Sequence, residues 1–253
     1  MEIVDNSAVR IQCPSRVAKL IESYIEKSEV LDTTDNVSDV IVYWGLDEMQ
    51  RLARIFPSNA KVPSPIERDY EWPGLFKPFN HQRDTSRFLS IHRRAFCFNE
   101  QGTGKTASVI WAADYLMTHG FIKRVLVVCP LSIMDSAWRN DLFKFAMHRT
   151  VDVAYGKPEK RKSIVSGNAE FVVINYDGLE IVREEVLNAG FDLIVIDEIH
   201  LLSENQILAA EDLLKYNKVV LGLTGTLSSY TEQTLGEELR LPVLATYSID
   251  QAI

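Results

Sequence analysis

Residues 95–106, Ala-Phe-Cys-Phe-Asn-Glu-Gln-Gly-Thr-Gly-Lys-Thr, constrain the fold of this chain more than any other stretch. A short apolar run passes through a turn with two glycines into a helix-like segment that begins at Lys105. Gly102 and Gly104 admit backbone conformations closed to other residues, so consecutive N–H groups can converge on anionic oxygens. The helix that follows points the positive end of its dipole at the same place. In such a cradle Lys105 reaches terminal phosphates, and the Thr106 hydroxyl is placed to complete the coordination of Mg²⁺. The match to G-x-x-x-x-G-K-[ST] is incomplete, because Asn99 stands at the first glycine position. An ordinary strand-to-helix turn remains open as an alternative on these residues alone.

The pattern around the cradle is regular. Short apolar runs at 95–98, 124–129, 151–154, 171–175, 193–196 and 218–223 alternate with helix-like segments. Most are apolar on both faces, as strands are when helices cover a parallel sheet from either side. The expected fold is α/β, a doubly wound and mainly parallel sheet whose ligand site lies beyond the carboxyl ends of the strands.

Upstream, the sequence predicts a small α/β accessory module over residues 1–56. Val9-Arg10-Ile11-Gln12 reads as a strand, and Val17, Leu20, Ile21, Tyr24 and Ile25 as one face of a helix. Val40-Ile41-Val42-Tyr43-Trp44 then reads as a second strand before a helix carrying Leu46, Met49, Leu52, Ala53 and Phe56, a β-α-β-α order. Residues 57–78 hold five of the nine prolines, which excludes a long helix or a central strand there and marks a linker.

At 253 residues the chain has room for one large domain, or for a domain with a small module. Its net charge of −8 argues against nucleic-acid binding through the whole surface and leaves a local basic groove open. Cys13, Cys97 and Cys129 are odd in number and without metal-ligand spacing, so buried reduced thiols are expected. The N-terminus lacks a signal peptide's basic and apolar regions, and no apolar run approaches membrane-spanning length, so a cytoplasmic protein without a membrane partner is expected.

A phosphate cradle calls for carboxylates at a second strand end, and Phe191-Asp192-Leu193-Ile194-Val195-Ile196-Asp197-Glu198-Ile199-His200 supplies Asp197 and Glu198 there. Alone, such a pair is equally a solvated loop start. Together with the Gly-Lys-Thr turn and with Leu223-Thr224-Gly225-Thr226, it forms a nucleotide-hydrolysing constellation.

Residues 79–226 resemble the first RecA-like lobe of superfamily 2 helicases and translocases, nearest to the SWI/SNF-like translocases and phage DEAH-type helicases. Phe79-Asn80-His81-Gln82 resembles the adenine-reading Q motif. Residues 99–106 are similar to motif I, where that family commonly carries Asp at the position of Asn99. Cys129-Pro130-Leu131-Ser132-Ile133, followed by Trp138, resembles motif Ia, and Asn175-Tyr176-Asp177 resembles motif Ib. Asp197-Glu198-Ile199-His200 is similar to a DEAH-type motif II, and Leu223-Thr224-Gly225-Thr226 to motif III.

The resemblance implies ATP and Mg²⁺ as cofactors. It implies that Phe79 and Gln82 meet the adenine, that Gly102, Thr103, Gly104, Lys105 and Thr106 hold the phosphates, and that Thr106 and Asp197 hold the metal. Glu198 would activate water, and His200, Thr224 and Thr226 would couple the nucleotide site to its surroundings. Pro130, Ser132, Asn175 and Tyr176 would lie against a nucleic-acid backbone, with DNA favoured over RNA. On the residues alone, His200 is equally a helix-start histidine and Thr224 a strand-end hydroxyl.

The lobe is expected over residues 79–240. Residues 241–253 resemble the start of the hinge that joins the two lobes in restriction-type translocases, as if the chain were cut there. The second RecA-like lobe carries an arginine finger in this family. Without it the chain is expected to hydrolyse ATP weakly. A non-catalytic single-lobe protein that binds nucleic acid or a partner, and a P-loop kinase or transferase, are the competing readings.

Overall fold

The computed structural model describes residues 1–57, 60–100, 102–201, 206, 219–224 and 246–247. The chain divides into two compact units, Met1–Tyr70 with Ser90–His92, and Glu71–Leu89 with Arg93–Ile253.

The first unit is a four-stranded antiparallel sheet of order β1–β2–β4–β3, built from β1 (Glu2–Val4), β2 (Ala8–Pro14), β3 (Ser28–Thr34) and β4 (Val37–Tyr43). Helix α1 (Ser15–Tyr24) lies between the two hairpins in sequence, and α2 (Leu46–Ile55) and the short α3 (Ile66–Asp69) follow β4. Strand β2 buries Val9, Ile11 and Cys13 on one face, and β4 buries Ser38, Val40 and Val42. That two-residue period is the signature of a sheet with one covered face. Ala18 and Ile21 of α1, and Leu46, Met49 and Leu52 of α2, add to the core, with Ile25, Trp44 and Ile66 also buried.

The unit departs from the expected β-α-β-α order. Two further strands, β1 and β3, make it a pair of hairpins. Strand β3, Ser-Glu-Val-Leu-Asp-Thr-Thr, is exposed along most of its length at the sheet edge, so it carries no apolar alternation to betray it. The turn into β4 is Asp35-Asn36, both at positive φ, with Thr34 paired to Val37 across a two-residue loop. This is the type I′ geometry that Asp and Asn tolerate. The expected apolar face of α1 is also narrower than its sequence suggests, since Leu20 and Tyr24 are exposed.

The second unit holds a seven-stranded sheet of order β11–β5–β10–β9–β6–β8–β7, and every neighbouring pair is parallel. Its strands are β5 (Arg94–Cys97), β6 (Val125–Cys129), β7 (Val151–Val153), β8 (Phe171–Asn175), β9 (Leu193–Ile196), β10 (Val219–Leu223) and β11 (Thr246–Tyr247). The helices are α4 (Asn80–Ile91), α5 (Lys105–Thr118), α6 (Asn140–Phe145), α7 (Pro158–Val165), α8 (Tyr176–Ile181) and α9 (Arg183–Asn188).

All residues of β6, β8 and β9 are buried. Each fully buried Val, Leu or Ile contributes about 1.5–3 kcal/mol by leaving water, which explains why these strands read as unbroken apolar runs. One sheet face packs Phe96, Leu126, Val128, Val172, Ile174 and Ile194 with Leu179, Val182 and Val186. Helix α5 is buried nearly all round, with Trp111 and Tyr115 wholly enclosed. Buried on almost every side, it shows little amphipathic pattern in sequence.

The three cysteines are free and buried. No helix among the described residues is long and apolar enough to cross a membrane. Of residues 241–253, expected as a hinge, the structure describes Thr246 and Tyr247, which pair with Phe96 and Cys97.

Candidate nucleotide site

Because the strands are parallel, the segments that leave their carboxyl ends gather on one edge of the sheet. They are residues 98–104 after β5, 130–132 after β6, 176 onward after β8, 197–198 after β9, and Thr224 after β10. Thr224, which is buried, donates its backbone N–H to the Cys97 carbonyl at 3.1 Å, so the motif III segment starts beside the glycine turn.

The turn is shaped by Gly102 and Gly104, at φ 78° and 79°. Gly104 caps α5 in the left-handed conformation and accepts the Ser108 N–H at 3.1 Å. Lys105 is buried, and its Nζ donates to the carbonyls of Asn99 at 2.9 Å and Glu100 at 3.2 Å. The Thr103 hydroxyl donates to the Glu100 carbonyl at 2.7 Å. Asn99 is buried, and its amide donates to Thr85 Oγ1 at 2.9 Å. An ionised Asp, acceptor only, could not donate that bond, so the amide of Asn99 is what tethers the loop to α4 here.

Helix α4 grips the turn a second time. Gln82 donates from Nε2 to the Thr103 carbonyl at 3.2 Å, while its Oε1 accepts the Phe79 N–H at 3.0 Å. His81 Nε2 lies 3.0 Å from the same Thr103 carbonyl. Phe79 is 69% exposed and stacks on His81 with ring centroids 5.8 Å apart. The three side chains thus form one ledge beside the glycine turn, with an aromatic face turned to solvent.

At the β9 end, Asp197 is 4% exposed. Its Oδ2 accepts the Trp138 indole N–H at 2.9 Å and its Oδ1 the Glu198 backbone N–H at 3.0 Å. Burial pushes its pKa up to about 6 against those hydrogen bonds and the attraction of the Lys105 ammonium. The Lys105 charge therefore acts directly on the acidic turn. Glu198 adopts φ 52°, a left-handed conformation uncommon outside glycine.

The donor set suits Mg²⁺. Thr106 and Asp197 offer one hydroxyl and one carboxylate, hard oxygen ligands in the small number that Mg²⁺ takes beside water and phosphate. Asp197 uses one acceptor site per oxygen for its hydrogen bonds, which leaves lone pairs for a metal. A cation there would also relieve the desolvated charge that raises its pKa.

The remaining expected site residues are distributed unevenly. Ser132 is exposed and Pro130 half-buried. Asn175 is buried, its Oδ1 accepting Arg161 Nη1 at 2.7 Å. The Tyr176 hydroxyl donates to the carbonyl of Asp197 and, at 3.2 Å, to that of Glu198. Both side chains therefore turn toward the protein. His200 belongs to the 3₁₀ turn Ile199–Leu201, and Thr226 lies outside the described residues. Sequence reasoning gave no role to Trp138, His81 or Arg161; only the position of Trp138 after the motif Ia segment offered a signal.

A parallel sheet of this order, with a glycine turn after β5 and an acidic turn after β9, defines a RecA-like lobe. The family model described as type III restriction enzyme, res subunit, matches residues 76–229, and the chain belongs to that family. It is 28% identical over 175 residues to the uncharacterized ATP-dependent helicase YqhH of Bacillus subtilis (strain 168), covering 64% of this chain and 29% of that protein. It thus spans less than a third of that relative's length.

Among solved structures it resembles the UvsW helicase from bacteriophage T4, with TM-score 0.59, 15% identity and 98% of both chains covered. It also resembles the Sulfolobus solfataricus SWI2/SNF2 ATPase core in complex with dsDNA, with TM-score 0.54, 23% identity, and 63% of this chain and 34% of that one covered. The helicase domain of Pyrococcus furiosus Hef gives TM-score 0.54 at 19% identity, with 68% and 38% covered. Family, fold and motif order together are those of a superfamily 2 helicase first lobe.

Proposed function

We propose that this chain is the ATP-binding lobe of an ATP-dependent DNA helicase or translocase, in which hydrolysis drives movement along nucleic acid. The observation that carries the reading is that the glycine turn after β5, with buried Lys105 on its carbonyls, and the turn of buried Asp197 and Glu198 after β9 leave the same end of one parallel sheet. Gly102, Thr103, Gly104 and Lys105 cradle the phosphates, and Phe79 and Gln82 meet the adenine. Thr106 and Asp197 hold Mg²⁺, which neutralises phosphate charge when bound. Glu198, the second residue of the DEAH-type sequence Asp197-Glu198-Ile199-His200, takes the proton of the attacking water.

His200, Thr224 and Thr226 relay the state of the nucleotide site. The segments at Pro130, Ser132, Asn175 and Tyr176 lie along a DNA backbone, a role supported by likeness to a SWI2/SNF2 core solved with dsDNA. Residues 1–56 belong to an accessory module and 79–240 to the lobe. Full turnover requires a second RecA-like lobe with an arginine finger. The buried, free cysteines suit a reducing cytoplasm.

ATPase activity measured with single-stranded, duplex and branched DNA and with RNA tests this reading. Weak activity that rises with DNA and is abolished in Glu198→Gln is expected. DNA binding indifferent to both ATP and Glu198→Gln would instead identify a non-catalytic binding protein.

A further inference from the structure

Two segments that leave neighbouring strands each send one side chain back to the acidic turn. After β6 the chain forms the 3₁₀ turn Leu131–Ile133 and then a six-residue π-helical stretch, Met134–Arg139. Wide helical turns of this kind are rare and concentrate at functional sites. Here the stretch delivers Trp138, fully buried, whose indole N–H donates to Asp197 Oδ2 at 2.9 Å. The Ser136 hydroxyl donates to the Ser132 carbonyl at 2.8 Å, which ties the stretch to a turn where Leu131 and Ser132 are exposed. After β8, the Tyr176 hydroxyl donates to the carbonyls of Asp197 and Glu198.

The two contacts act on different parts of one turn. Trp138 fixes a carboxylate oxygen, and Tyr176 fixes the peptide groups that hold Glu198 in its left-handed conformation. A core-filling Trp needs some acceptor for its N–H, and here that acceptor is the carboxylate at the end of the central strand that would hold the metal.

We infer that Trp138 and Tyr176 are positioning residues that couple the segments at 130–132 and 175–176 to the Asp197–Glu198 turn and set the carboxylate geometry for Mg²⁺-dependent nucleotide binding. This rests on the nucleotide and DNA roles proposed above. A displacement of either segment by a bound strand would then reorient Asp197 or the Glu198 backbone.

The test combines two readouts on the chain. The first is ADP affinity with and without Mg²⁺. Loss of a hydrogen bond to a charged group is expected to cut the Mg²⁺-dependent gain in affinity about tenfold in Trp138→Phe, with a smaller loss in Tyr176→Phe, while Mg²⁺-free ADP affinity stays near that of the parent. A gain that survives intact in Trp138→Phe overturns the inference.

The second needs no substitution at the clasp. The four indole N–H signals of the ¹⁵N-labelled parent, from Trp44, Trp72, Trp111 and Trp138, are followed on adding ADP, then Mg²⁺, then a short DNA duplex. Replacing Trp44, Trp72 and Trp111 singly by Phe leaves the Trp138 signal identified even if Trp138→Phe fails to fold. That signal is expected to move with Mg²⁺ and again with DNA. Shifts of the amides at 102–106 with a stationary Trp138 indole overturn the clasp alone. Absence of any shift at 102–106 overturns the nucleotide reading, and the clasp with it.

Discussion

Replacing Gly104 by Ala would disturb the phosphate turn through two separable costs. The residue sits at φ 79°, where a side chain costs about 1–2 kcal/mol. A Cβ there would also lie 2.1 Å from Gln82 Nε2. The amide end of a flexible side chain can swing away, but doing so gives up its bonds to the Thr103 carbonyl and the Phe79 N–H. Their loss adds about 1–3 kcal/mol, at roughly 0.5–1.5 kcal/mol for each bond. Gly102 is the internal control. It has nearly the same φ, 78°, and a Cβ there would meet nothing within 4 Å. Urea denaturation should therefore show Gly104→Ala less stable than Gly102→Ala by about 1–3 kcal/mol, at the cost per bond given above, and the difference should shrink in a Gln82→Ala background. Equal destabilisation at the two glycines, or strict additivity with Gln82→Ala, would refute the proposed packing of Gln82 on the turn.

Asp197 gives a pH-dependent stability effect of opposite sign to that of a salt-bridged acid. Its pKa is raised from 3.8 to about 6, so the folded state holds the proton more tightly than the unfolded one and the penalty builds as pH rises through that window. Without divalent cations, Asp197→Asn should be more stable than the parent above pH 6 by at most about 3 kcal/mol, at 1.36 kcal/mol per pKa unit, with the gain vanishing toward pH 4. A pH-independent difference would contradict this. In a separate part of the lobe, buried Asp114 accepts Arg149 Nε at 2.5 Å and lies 2.8 Å from His148 Nε2. Asp114→Ala should cost about 3–5 kcal/mol by denaturation, as for breaking a buried ion pair, and a loss below about 1 kcal/mol would show that Glu170 alone compensates Arg149.

The lobe's strands were legible because burial on both faces leaves unbroken runs such as Val-Leu-Val-Val-Cys at 125–129, which few other environments require. The edge strand β3 was not, since its side chains face water and its one signal was the Asp35-Asn36 turn. In α1 the spacing of apolar residues gave too broad a face, and Ala18 is buried where Leu20 and Tyr24 are not.

At the site, residue types and their order revealed the glycine turn and the acidic turn as chemistry. Orientation was another matter. The π-helical stretch shifts which residue faces inward, so no period of 3.6 could aim Trp138 at Asp197. The Tyr176 hydroxyl reaches the carbonyls of the acidic turn, a contact that its place in the Asn175-Tyr176-Asp177 stretch does not foretell. Such contacts depend on how strands β9, β6 and β8 lie side by side, which is a property of the sheet and not of any one segment.

The central claim, that residues 102–106 with Asp197 form a Mg²⁺-nucleotide site, is tested most directly by calorimetric titration of the parent and Lys105→Ala with Mg²⁺·ADP. Saturable one-site binding by the parent, weakened at least about tenfold in Lys105→Ala through loss of a charge-assisted contact, is the predicted result. Equal binding by the two proteins, or none by the parent, would contradict the account.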